Sequence, residues 1–194
     1  MQTEKDNFIF GALWAEGLVV LNEKRIIYVN GQITDKLAMG FNLAILDIEK
    51  EDPNEDITIY INSPGGSTDA GLSMIDTMST ISCDVRTICV GMAASMGAVL
   101  LMCGTKGKRE ILPHSYVLIH QILAGFGGGL MQASEIEIFS ATITKRKQAM
   151  SELIAQRTGQ PLEKIINDCE RDYTLSSKEA LEYGIVDRIV KKHK

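Results

Sequence analysis

Two hydrophobic periods alternate along the chain. RIIYVNG, residues 25–31, reads as a strand, and from Asp35 to Glu49 apolar residues fall at Leu37, Phe41, Ala44, Ile45 and Ile48, a stripe along one helical face. ITIYIN (57–62) is a near-continuous apolar run of strand length, as expected of a strand buried on both faces. Helical spacing returns in DAGLSMIDTMSTI (69–81) at Ala70, Met74, Ile75 and Met78, and VRTICV (85–90) is again a strand. GMAAS then leads into a short apolar helix. KREILPHSYVLIHQ (108–121) reads as two short strands split by Pro113, followed by the glycine-rich loop AGFGGG (124–129). Near the C-terminus Ser176 stands three residues before Glu179, a capping box for a short helix that stops at Gly184, and IVDRIV closes the chain as a strand. Strands alternating with helices at these intervals predict parallel strands and an α/β fold, with residues 1–194 forming one domain.

The longest helical segment, about 133–158, ends near Gly159 and Pro161. At 1.5 Å per residue it spans about 40 Å, more than one small core can cover. Its apolar positions, including Ile136, Phe139, Ile143, Met150, Leu153 and Ile154, therefore point to contact with another subunit, unless a second helix of the same chain covers part of them.

Composition narrows the function. The 194 residues are 45 % hydrophobic and 23 % charged, with a net charge of −5 that argues against a nucleic-acid partner. MQTEKDNF has no basic start followed by an apolar core, so no signal peptide is expected. The longest nearly uncharged run, VGMAASMGAVLLMCG (90–104), is shorter than the ~20 residues of a membrane span. A soluble, cytoplasmic protein is the expectation. Cys83, Cys89, Cys103 and Cys169 form no metal-ligand spacing and read as reduced, mostly buried thiols. With three histidines and no HExxH, no metal site is expected.

One serine interrupts the small, apolar run GMAASMGAVL (91–100). Ser95 stands where a strand meets a helix, and its plainest role there is to cap the helix. The alternative is a nucleophile, which needs a base, a group to orient that base, and donors for an oxyanion. The Met96 N–H, at the helix start, and the glycines of SPGG, after the neighbouring strand, are candidate donors, although SPGG alone could be a plain turn. His193 lies in the basic tail KKHK and His114 in a turn, which leaves His120, at the end of YVLIH, as the candidate base. An isolated strand histidine is more often a core residue than a catalyst. For the acid, Asp168, Glu170 and Asp172 all stand in NDCERDYTL, with Asp172 just before the last helix, where it could also be a turn or capping residue. The GxSxG nucleophile elbow is not matched, because Ala93 holds the first glycine position.

INSPGGS (61–67), GMAASMGAVLL (91–101), LPHSYVLIHQ (112–121) and ERDYTLSSKEALEYGIVD (170–187) together resemble the proteolytic-subunit family of the ATP-dependent Clp proteases, ClpP, from about Arg25 to Val190. The resemblance implies a ClpP/crotonase-like α/β superhelix in which the long helix, with residues from about 122, is a handle between two heptameric rings. It implies a serine endopeptidase with Ser95 as nucleophile, His120 as base, Asp172 as orienting acid, and the amides of Gly66 and Met96 as oxyanion donors. It further implies no bound cofactor, ATP being used by an AAA+ unfoldase hexamer of the ClpX, ClpA or ClpC type that delivers unfolded polypeptides. The unfoldase would dock on a pocket drawn from Tyr60, Thr80, Ile88, Val90, Leu112 and Val190. The chain departs from the family pattern in three places. Residues 1–24 lack the usual Gly/Arg-containing pore segment. AGFGGGLM is about three residues longer than usual, and no proline follows His120–Gln121, which favours a mixed barrel with a second paralogue. Thr80 stands where an aromatic often lines the docking pocket, which predicts weaker docking. Two other readings compete: a catalytically silent or partner-dependent ring subunit, and a crotonase-type acyl-CoA enzyme.

Overall fold

The computed structural model describes residues 17–125, 130 and 132–190. Most of the divergent N-terminal segment, the centre of the AGFGGGLM loop and His193 lie outside the described residues. In chain order the elements are β1 (Leu18–Leu21), β2 (Ile26–Asn30), α1 (Asp35–Glu51), β3 (Ile57–Ser63), α2 (Thr68–Thr80), β4 (Val85–Ala94) and α3 (Met96–Met102). They continue with β5 (Arg109–Ile111), β6 (Tyr116–Ile119), α4 (Ala133–Thr158), α5 (Leu162–Asp168), β7 (Tyr173–Ser176), α6 (Ser177–Tyr183) and β8 (Arg188–Ile189).

The fold is α/β, built on an eight-stranded sheet in the order β1-β2-β3-β4-β5-β8, with β6 paired to β4 and β7 to β6. β2, β3, β4, β5 and β8 run parallel, and so does β6 beside β4. The parallel expectation fails at β1 on β2 and β7 on β6, which are antiparallel. β1 reaches β2 through a short connection that needs no helical crossover, whereas the chain between β6 and β7 runs out through α4 and α5 and returns in the opposite direction. β3 is buried at every other residue along its length, Ile57, Ile59, Ile61 and Ser63 facing the core while its other face is only partly covered. α1 lays Leu37, Phe41, Ile45 and Ile48 into one core cluster shared with α2, α3 and the sheet.

The C-terminal region differs most from expectation. α5 and β7 lie between α4 and α6, so Asp172 precedes a strand and not the last helix, which begins at Ser177. Ser176 and Glu179 do form the capping box of α6. Only Arg188–Ile189 of IVDRIV is a strand. α4 runs 26 residues, yet its buried residues are confined to the C-terminal part, at Ser151, Ile154 and Thr158. Ile136 and Ile138, toward its start, are 48 % and 68 % exposed. All four cysteines are unpaired and buried.

The seam between β5, α4 and β8 is held by one buried ion pair. Arg109, 1 % exposed, places Nε and Nη2 at 2.9 and 2.7 Å from the two carboxylate oxygens of Asp187. Its Nη1 donates to the Arg157 carbonyl at 2.8 Å, satisfying the C-terminus of α4. Burial raises the Asp187 carboxyl pKa, but the side-chain and backbone donors of Arg109 and the Gly107 N–H outweigh it and hold the pKa at about 2. A folded-state pKa below the unfolded value of about 4 stabilises the protein fully above that value, and the contribution is lost as pH falls toward 2. Asp187→Asn should cost about 3–5 kcal/mol at neutral pH, because it strands the buried guanidinium. Denaturant melts between pH 2 and 7 check both points: the variant should be destabilised at pH 7 and should lose less further stability between pH 4 and 2 than the parent does.

Candidate active site

Ser95 is set by the junction of β4 and α3. Its backbone amide donates to the Leu118 carbonyl of β6 at 2.8 Å, and its carbonyl accepts from Ala98 and Val99 at the start of α3. Meeting both demands in one residue forces φ 54°, ψ −123°. That conformation is unusual for a non-glycine residue and costs on the order of 1–3 kcal/mol. The side chain makes no capping hydrogen bond. The side-chain cap expected of Ser95 is thus not made, and Ser95 instead lines a cleft. The turn is a sharp strand-to-helix turn, made here with Ala93 where the GxSxG motif has its first glycine. Ala93 is fully buried in β4 between Ser63 of β3 and Val117 of β6.

SPGG packs directly on this turn. The loop is held to Ile33 by two backbone bonds, Ile33 N–H to the Gly65 carbonyl at 2.8 Å and Ser67 N–H to the Ile33 carbonyl at 2.9 Å. Between those two bonds, the N–H of Gly66 faces the other way, and Gly66 lines the same cleft as Ser95. The Met96 N–H, first in α3, is one of the donors that a helix cannot satisfy from within. Gly65 adopts φ +92°, and a β-carbon there would lie 2.7 Å from Ser95 Cβ and 2.9 Å from Met96 N. Only glycine allows that approach. The cleft has a volume of about 380 Å³ and is walled by SPGG, the start of α3, residues 119–123 and the Met150–Ile154 turn of α4. His120 is the one titratable imidazole in it, and no Asp, Glu, Lys or Arg lines it among the described residues.

His120 and Asp172 are brought together by β7. In the β6–β7 ladder Ile119 pairs with Tyr173, so the next residues outward, His120 and Asp172, stand opposite each other. Cross-strand neighbours of this kind have β-carbons about 4.5–5.5 Å apart. His120 Nδ1 lies 4.0 Å from Asp172 Oδ1, beyond hydrogen-bond range, with the His120 side chain 14 % and that of Asp172 76 % exposed. Asp168 is engaged elsewhere, accepting from Tyr183 Oη at 2.7 Å and pairing with Lys164. Glu170 pairs with Lys147 of α4 at 2.9 Å.

Of the docking candidates, Tyr60 and Ile88 are partners across β3 and β4, and Val90 follows on β4. Leu112 and Val190 sit just past β5 and β8, tied down by backbone bonds to Cys89 and Ile111. Thr80 is apart from the sheet, as the exposed last residue of α2. Sequence patterning missed Tyr28, whose ring stacks on Tyr60 with centroids 5.8 Å apart. It also missed Gln121, whose contacts are backbone carbonyls that no residue pattern encodes.

Among the described residues no cluster of three or more His, Cys, Asp and Glu side chains could hold a metal ion, and no helix is long and apolar enough to cross a membrane. Two comparisons with known proteins bear on the site. The family model described as Clp protease matches residues 11–193. The ATP-dependent Clp protease proteolytic subunit 1 of Bacillus cereus (strain ATCC 10987 / NRS 248) is 50 % identical over 172 residues, covering 89 % of this chain and 88 % of that protein. A chain with this sheet, this cleft and these relatives belongs to the Clp protease family, as a proteolytic subunit with peptidase activity.

Proposed function

We propose that the peptidase is of the serine type, with Ser95 as nucleophile, His120 as general base, Asp172 as the group that orients it, and the Gly66 and Met96 amides as oxyanion donors. The observation that carries this reading is the strained Ser95 turn, which frees the hydroxyl into the cleft that His120 also lines. Ser95 Oγ attacks the scissile carbonyl carbon while His120 Nε2 takes its proton, and the developing oxyanion falls to the two amides. The imidazolium then protonates the leaving amine, and water hydrolyses the acyl-enzyme by the same steps in reverse order of roles. Nδ1, turned toward Asp172, keeps Nε2 free to act.

Substrates in this reading are short peptides and unfolded polypeptides. Among the described residues no charged side chain lines the cleft, which suits uncharged backbone and apolar residues, and none there supplies the cations that the phosphates of an acyl-CoA would call for. ATP is used by an AAA+ unfoldase hexamer of the ClpX, ClpA or ClpC type, which would dock over a pocket drawn from Tyr60, Thr80, Ile88, Val90, Leu112 and Val190. Self-association into heptameric rings and a 14-mer in the cytoplasm, alone or with a second paralogue, would cover the exposed start of α4. One observation favours a partner-dependent subunit as the second reading: the open 4.0 Å gap between His120 and Asp172.

A fluorophosphonate distinguishes these. Peptide-mapped mass spectrometry of the treated protein should show a single adduct on Ser95; an adduct that forms only with a partner subunit present supports the second reading, and none under either condition sinks the serine mechanism. Ser95→Ala should lower kcat for a short fluorogenic peptide by about 10⁶ and Asp172→Asn by about 10⁴. Gly65→Ala should cost at least about 10²-fold, the scale of one lost oxyanion donor, in a protein that still folds by circular dichroism.

A further inference from the structure

We infer that Gln121 is a positioning residue, which sets the separation of His120 and Asp172 by clamping the chain on the far side of that pair. The inference rests on the serine mechanism proposed above. The β6–β7 ladder fixes the pair from one side only, ending at Ile119 and Tyr173. Beyond it, the chain before Asp172 makes a bend with no ladder of its own. Gln121 spans this gap with two bonds. Its backbone N–H donates to the Cys169 carbonyl at 2.6 Å, and its side-chain Nε2 donates to the Glu170 carbonyl at 3.0 Å. The residue that follows the base thus holds the two residues that lead toward the acid.

The clamp has a firm footing. Cys169 is buried in the core, and its N–H is bonded to the Ile165 carbonyl of α5. Glu170 is anchored a second time by Lys147 of α4 at 2.9 Å. The charged groups gathered at this corner are Glu170, Arg171 and Asp172 from the bend and Lys147 from α4. Asp172 itself is the loosest member, most of its side chain being open to solvent, so its position is inherited from the backbone on either side. Of the two Gln121 bonds, the backbone bond survives any substitution except proline. The side-chain bond is the one that chemistry can remove.

A misplacement of about 1 Å at a catalytic group can cost on the order of 10²-fold in rate. Gln121→Leu removes the donor, and Gln121→Glu keeps size and polarity while turning a donor into an ionised acceptor facing the Glu170 carbonyl. Both should lower kcat for a short peptide by roughly 10- to 100-fold with KM within about twofold, because the Gln121 amide, although this residue is part of the cleft wall, is engaged by the Glu170 carbonyl. The decisive readout is a double-mutant cycle on the full-length protein, using the second-order rate of fluorophosphonate inactivation. In an Asp172→Asn background, neither Gln121 substitution should lower the rate further. Equal losses in both backgrounds, a change confined to KM, or unchanged kcat in Gln121→Glu would each overturn the inference. These failures are separable from failure of the serine mechanism itself, which would show as an unlabelled Ser95 and a fully active Ser95→Ala protein.

Discussion

The site depends on a single irregularity in β4. Along one edge this strand pairs with β5 through Thr87–Cys89 and then with β6 through Met92–Ala94, so it must change partners in mid-course. On its other edge the register with β3 shifts between Ile61, opposite Cys89, and Ser63, opposite Ala93: β4 uses four residues where β3 uses two. Gly91 sits inside that bulge at φ +79°, where a β-carbon would lie 2.8 Å from Asn62 Oδ1. The Ser115 hydroxyl accepts the Gly91 N–H at 2.8 Å, and Asn62 Oδ1 accepts that of Met92 at 3.3 Å, so the donors released by the bulge are satisfied. Bulges bend and twist a strand, and here the bend turns the end of β4 away from β5 and alongside β6. Without it Ser95 would not bond Leu118, two residues before His120.

Two corners of the sheet therefore meet at the cleft. One is the β4–α3 turn, rigid because Gly65 and Gly97 let SPGG and Ser63 press against it. The other is the end of the β6–β7 pair, where the Asp172 carboxylate is exposed and the His120 imidazole is largely covered.

Much of this was legible in the residues. The periods of α1, α2 and β3 were clear because each buries one stripe or face against a common core, and Ser95 stood out because a hydroxyl in GMAASMGAVL has no structural need to be there. His120 followed by elimination and by the alternation of YVLIH. Asp172 could not be separated from Asp168 and Glu170 by pattern, since the choice rests on β7. YTLS buries only Leu175 and has no period of its own, and what makes it a strand is its distant partner β6. The sharp turn at Ser95 was not legible for a related reason. The glycine at the first position of GxSxG is one way to make room beside the turn, and the small Ala93 between two strands is another.

The strain at Ser95 carries a consequence for how this protein can change. A backbone held at φ 54° by its neighbours is a cost borne at all times, whether or not a substrate is present. Glycine at the same position would escape it, so replacing Ser95 by glycine runs downhill in local backbone energy, and any other side chain here is carried against a standing cost in the stability of the fold.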